Sequence, residues 1–266
     1  MSIPAFVDAF SDNRRFGLEL EFFNISQERV ESLLSQAGIT CWNEDGDESY
    51  DDDGNPIVGE GWKITDDGSI DGDWSVELVS PILSGVEGLR EVAKVVEILS
   101  DAGAKVNKSC GFHVHVDAGD LSSTVLFNVY RRYALHEVQI DSFMVPSRRG
   151  NSNAYCQSTV NLVGRTQGVS AALTAREAAQ IMEEQYTSHG FRGGRYYKVN
   201  LCAYLRHGTI EFRHHGGTVN VNKVLNWIVF CLTFVQTSMS SDTANIFQDL
   251  HPDSVQFFNE RAASLG

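Results

Sequence analysis

Four short stretches of this chain alternate apolar and polar residues with a period of two. In each, the polar face carries carboxylates or imidazoles. "ELE" holds Glu19 and Glu21, and "SVELVS" aims Glu77 away from Val76 and Leu78. "FHVHVD" puts His113, His115 and Asp117 on one face, and "IEFR" does the same with Glu211 and Arg213. Residues i and i+2 of a strand share a face. The pattern therefore calls for a sheet packed on one side by apolar residues and charged on the other. Each strand alone has a plain explanation: Glu19 and Glu21 suit a solvated face, and an isolated H-x-H is usually structural. Four together call for a reason.

Clustered carboxylates repel and raise one another's pKa unless a cation neutralises them. A hard divalent ion such as Mg²⁺ or Mn²⁺ does so through oxygen ligands and an occasional imidazole. Two ions would use about five or six such ligands. Arg213, beside Glu211, offers a planar fork to phosphate oxygens. These parts suit phosphoryl transfer. H-x-H with carboxylates also describes metal-dependent hydrolases, so that alternative stays open on the residues alone. A binding protein that has lost catalysis is a further one.

The pattern of the remaining chain predicts helices at "SQERVESLLSQAG", "GVEGLREVAKVVEILSDAG", "SSTVLFNVYRRYALHEVQIDSF" and "TAREAAQIMEEQY", from capping residues and helical periodicity. A buried helix is expected from about Asn220 to Thr237, and a short one near 254–264. "WKITDDGSI" reads as a further strand, and "DDDGNP" as a turn. "RYYKVNLCAY" and "GTIEFRHH", joined by "LRH", are expected to pair as an antiparallel hairpin. Strands and helices mix without strict alternation. The expected class is α+β, an antiparallel sheet with helices on one face, in a single domain over 1–266.

Net charge is −14 over 266 residues, and it is regional. Residues 43–73, read as an acidic insertion, hold twelve acids and one base, Lys63. Residues 192–215 run the other way, with Arg192, Arg195, Lys198, Arg206 and Arg213 against Glu211. An acidic chain with one basic stretch is a poor nucleic-acid binder. It suits a small anion such as a nucleotide phosphate held with a metal. The longest apolar run, "VLNWIVFCLTFV", is too short to span a bilayer, which takes about 20 residues, so no membrane association is expected. Five cysteines without a C-x-x-C, and no signal-peptide pattern, fit reduced thiols in the cytoplasm. Familiar motifs fail. The calcium-type loop from Asp67 has Leu78 where its glutamate belongs, and "HEVQI" has Ile140 in place of a second zinc histidine. No P-loop, G-x-G-x-x-G or G-x-S-x-G is present.

"GLELEFF", "DGSIDGDWSVELVSPIL", "CGFHVHVD" and "RYYKVNLCAYLRHGTIEFRHHGGT" together resemble the amidoligase family of carboxylate–amine ligases. The four blocks stand in the family's order. The resemblance implies a catalytic fold like that of glutamine synthetase, binding ATP and two Mg²⁺ or Mn²⁺ ions. It implies metal ligation by Glu19, Glu21, Glu77, His113 and Glu211, with Asp67 at a further ligand position. His115 would lie near the ATP phosphates, and Arg213 would contact the transferring phosphoryl group. Arg148, Arg149, Arg195 and Lys198 are candidates for binding phosphate or a substrate carboxylate. "HGFRGG" suits a substrate lid. The implied substrates are a small-molecule or peptide carboxylate and an amine. Their identities and the oligomeric state stay open. Cys110 and Cys156 are expected to be buried rather than nucleophilic. His207, His214 and His215 are not assigned to a metal.

Overall fold

The computed structural model describes residues 3–44, 59–160, 173–187, 195–241 and 243–266. Residue contacts divide the chain into two compact units. The first is Met1–Phe112 with Gly217–Leu225, and the second is His113–Gly216 with Asn226–Gly266. The mixed α+β class read from the sequence is present in the described residues.

In the first unit, strands β1 (Phe16–Phe22), β2 (Cys41–Asn43), β3 (Trp62–Thr65) and β4 (Val76–Val79) pair in the order β2–β3–β4–β1. Beyond β1 comes the start of β5 (Gly111–Asp117), whose first two residues belong to this unit. β3–β4 and β4–β1 are antiparallel, while β2–β3 is parallel. Leu18, Leu20 and Phe22 of β1, Val76 and Leu78 of β4, and Trp62 and Ile64 of β3 are all buried, as period-two alternation requires. Helix α1 is a short turn (Ala5–Asp8). α2 (Gln27–Gln36) is opened by Ser26, whose hydroxyl accepts from the Arg29 N–H. α3 (Gly85–Asp101) buries Leu89, Val92, Val95, Val96 and Leu99 at helical spacing. Each such side chain contributes about 1.5–3 kcal/mol on burial. Truncating Leu20 to Ala would cost about 2–5 kcal/mol. Gly217 returns the chain against the start of β5: its N–H bonds the Cys110 carbonyl at 2.8 Å. A Cβ there would lie 2.4 Å from that of Cys110, so only glycine fits.

In the second unit, β5 from His113 onward, β7 (Thr209–Gly216) and β6 (Val199–Asn200) lie in the order β5–β7–β6. β6 and β7 are antiparallel, with Asn200 opposite Glu211. The unit holds α4 (Ser123–Ser142), a 3₁₀ turn (Pro146–Arg148), α5 (Ala175–Thr187), α6 (Cys202–His207) and α8 (Pro252–Leu265). α7 (Val221–Ser238) contributes its residues from Asn226 onward. The core is aromatic: Phe143 packs on Phe258 with centroids 4.7 Å apart, and Trp227 stacks on Phe230 at 5.0 Å. Arg132 is wholly buried and donates to the carbonyls of Phe234, Ala244 and Asn245. Burial pulls its pKa down to about 10, which leaves it charged at neutral pH.

The expected hairpin around "LRH" is shorter than the sequence suggests. β6 has only two residues, and "CAYLRH" is the helix α6. Two local interactions favour the helix. The Asn200 Oδ1 accepts from Cys202 N–H at its start, and Gly208, at φ 67°, ends it in the left-handed region. The turn "DDDGNP" and the lid "HGFRGG" lie outside the described residues, as does 45–58 of the acidic stretch. No helix among the described residues is long and apolar enough to cross a membrane.

Candidate functional site

The β1–β4 register sets Glu21 directly opposite Glu77. On the other side of Glu77, Thr65 of β3 is its pair. Asp67 follows β3 in a tight turn, its Oδ1 accepting from Ser69 N–H at 2.8 Å. Carboxylate oxygens of Glu21, Asp67 and Glu77 all lie within 4.8 Å of one another. Glu21 is anchored by the Gly111 N–H, which donates to its Oε2. Burial pushes the Glu77 pKa up to about 8, and the charges of Glu19, Glu21 and Asp67 push the same way. The charge of Lys63, whose ammonium is paired with Glu44 at 2.8 Å, acts the other way. Without a cation, Glu77 therefore keeps a proton near neutral pH. An all-carboxylate donor set of this kind fits a hard divalent ion, whose charge would release that proton.

In the second unit, Glu211 is the hub. Its Oε1 accepts from Arg213 Nη1 and lies 3.7 Å from His113 Nδ1. Arg213 Nη1 is 3.5 Å from the same imidazole nitrogen. The Glu211 Oε2 accepts from Asn200 Nδ2 at 2.6 Å. Glu211, His113 and Asn200 are all buried, and Arg213 is nearly so. Arg148 is buried as well. Burial pushes the Cys156 thiol pKa up, and the nearby charges of Arg148, Lys198 and Arg213 only partly offset this. Arg148, Lys198 and Arg213 are thus all close enough to Cys156 to act on its thiol. Guanidinium forks suit phosphate or carboxylate oxygens.

A family model described as "putative amidoligase enzyme" matches residues 12–235. The chain belongs to this amidoligase family. The matched span takes in every residue of both side-chain sets above. No curated protein matches the chain.

The other expected site residues of this amidoligase fall in different surroundings. Glu19 is close enough to Glu77 to raise its pKa. His115 Nδ1 pairs with Thr209 Oγ1 at 3.0 Å, one strand over. Lys198 accepts from Arg213 N–H through its main-chain carbonyl at 2.8 Å, but its side chain is engaged with other carboxylates. Its ammonium is fully buried between Glu137 Oε1 at 3.0 Å and Asp141 Oδ1 at 2.7 Å. Those two carboxylates satisfy it, so a phosphate would have to displace a buried ion pair. Arg149 is committed to main-chain carbonyls, donating to Met144 at 2.9 Å and Leu265 at 3.3 Å. Arg195 is exposed and lies over the Tyr196 ring at 4.9 Å.

His214 joins the buried network around Lys198. Its Nδ1 meets Tyr133 Oη at 2.7 Å and its Nε2 meets Asp141 Oδ1 at 2.7 Å. Burial holds its pKa down to about 4, so it is neutral. His215 Nδ1 lies 2.6 Å from the Gly216 carbonyl. Neither histidine belongs to a metal-competent group among the described residues. Asn200 is the residue sequence reading missed. Its alternation in "KVN" was visible, but its contact with Glu211 depends on a register no local pattern gives.

Proposed function

We propose that this amidoligase is an ATP- and divalent-metal-dependent carboxylate–amine ligase with a glutamine synthetase-like catalytic fold. The observation that carries the reading is the carboxylate set Glu21, Asp67 and Glu77, gathered from β1, β4 and the turn after β3 in a chain of the amidoligase family. A sheet and its adjoining turn have no structural need for three clustered carboxylates, one of them kept protonated near neutral pH by burial and its acidic neighbours.

In this reading Glu21, Glu77 and Asp67 hold one Mg²⁺ or Mn²⁺ ion. His113 and Glu211 would supply ligands for a second, and Glu19, beside Glu77, is a further metal ligand in this reading. Ions held by these residues would supply positive charge to offset the negative charge of an approaching carboxylate and phosphate. Arg213 donates to the oxygens of the transferring phosphoryl group, and Arg148 supports a phosphate or the substrate carboxylate. His115 lies toward the ATP phosphates. The substrate carboxylate attacks the γ-phosphate, forming an acyl phosphate and releasing ADP. The amine then attacks the acyl carbon, forming the amide and releasing phosphate, and its surplus proton passes to solvent. The carboxylate and amine belong to small molecules or peptides.

The test is phosphate release from ATP with Mg²⁺ over a panel of carboxylates and amines. Release that depends on ATP, on a carboxylate and on an amine supports the ligase. Metal-dependent hydrolysis without ATP would replace it with a hydrolase.

A further inference from the structure

We propose that Asn200 is a positioning residue: it fixes the orientation of the Glu211 carboxylate, and through it the grip on a metal–nucleotide complex. The second clause rests on the proposed function, and the first does not.

Asn200 is buried at 4% exposure and sits opposite Glu211 in the β6–β7 register. Its two side-chain atoms have distinct partners. Oδ1 accepts from Cys202 N–H at 2.9 Å, and Nδ2 donates to Glu211 Oε2 at 2.6 Å. The network itself fixes this assignment. A main-chain N–H can only donate, so the atom facing Cys202 must be the oxygen, leaving the NH₂ for the carboxylate. The first turn of α6 therefore orients the amide, and the amide orients Glu211.

The consequence concerns the last torsion of Glu211, which is soft in glutamate. One oxygen is drawn toward Arg213 and His113. An unopposed arginine fork would take both oxygens, as such forks do. Asn200 holds Oε2 away from that geometry, so the two oxygens face different partners. Groups that orient a ligating carboxylate in this way affect metal affinity by about 10–100-fold.

A purely structural role would be to support the start of α6 through Cys202. Asn200→Ser separates the two. Serine retains a short acceptor of the type that serves main-chain N–H groups at helix starts, and it is too short to reach Glu211. Three quantities are measured on the full chain: melting temperature, calorimetric affinity for ADP with Mn²⁺, and the Glu211 orientation in a crystal structure. Asn200→Ser should melt close to wild type, bind Mn²⁺·ADP about 10–100-fold more weakly, and show a rotated Glu211 carboxylate. Wild-type affinity, or an unmoved carboxylate, overturns the proposal. If the serine variant does not fold, Asn200→Thr, which also keeps a short hydroxyl acceptor and cannot reach Glu211, is read in the same way. If the wild-type protein binds no Mn²⁺·ADP, the proposed function falls. The Glu211 orientation then decides the role of Asn200 alone.

Discussion

Glu21 and Glu77 face each other as a direct cross-strand pair between β1 and β4, two carboxylates where a sheet gains most from opposite charges or apolar contact. Like charges so placed destabilise a sheet. Asp67 comes within 4.8 Å of both, and Glu77 responds with a pKa near 8.

That relationship predicts how the metal-free protein depends on pH. The folded-state pKa of Glu77 is raised from 4.5 to about 8. An acid whose folded pKa is raised binds its proton more tightly when folded. Its stability contribution is fully present below pH 4.5 and is lost as pH rises through about 8. In EDTA, Glu77→Gln should therefore raise the melting temperature by several degrees at pH 8 and barely change it at pH 5, a difference of at most a few kcal/mol. Equal shifts at both values would show that the glutamate is not strained in the fold.

The same variant should respond more weakly to metal. Wild type should gain melting temperature with Mn²⁺ by mass action and release a proton on binding at pH 7, because Glu77 must ionise. Calorimetry in buffers of different ionisation enthalpy measures that proton directly. Glu77→Gln should release none and bind about 10-fold or more weakly, the scale set by losing one tenfold step, about 1.4 kcal/mol, of ligand interaction.

Lys198→Met tests the buried network of the second unit. Removing the ammonium leaves the buried Glu137 and the part-buried Asp141 without their shared cation. Breaking a buried pair from one side costs about 3–5 kcal/mol. Chemical unfolding should show a loss of that size. A variant of normal stability but impaired nucleotide binding would return Lys198 to the phosphate site.

Two neighbours of Lys198 predict acid sensitivity. Burial lowers the His214 pKa from 6.5 to about 4. Burial alone would raise that of Asp141, but hydrogen bonds from His214, Lys198 and Gly150 hold it down, from 3.8 to about 2. Both groups bind protons more tightly when unfolded. Their stability contributions are present above the unfolded values and are lost as pH falls, between 6.5 and about 4 for His214 and between 3.8 and about 2 for Asp141. Urea unfolding from pH 7 to pH 4 should therefore show falling stability, and His214→Gln should flatten that decline.

Arg213→Lys keeps a charge and loses the fork. If Arg213 acts on the transferring phosphoryl group, turnover should fall by about 100-fold or more while ATP affinity changes little. The measurement is kcat against nucleotide affinity once a substrate pair supports turnover. Unchanged turnover would remove Arg213 from the mechanism.

Much of this was legible in the sequence, for local reasons. A period of two fixes which residues share a strand face, so Glu19 with Glu21, His113 with His115, and Glu211 with Arg213 could be grouped from spacing alone. Helical periodicity and capping residues placed α2, α3, α4, α5 and α7 for the same reason. The family blocks named the amidoligase assignment that residues 12–235 bear out. Tertiary structure decided what spacing cannot reach. Strand register made Glu21 and Glu77 partners and put Asn200 opposite Glu211. Packing closed Lys198 between two carboxylates and set Arg149 on main-chain carbonyls, although both read in the sequence as candidates for binding phosphate or a substrate carboxylate. "CAYLRH" became a helix because a side-chain acceptor and a left-handed glycine at its ends outweighed its strand pattern. A charged residue's role depends on which groups folding brings to it: Asn200 lies 11 positions from Glu211, and the Gly111 N–H lies 90 from Glu21.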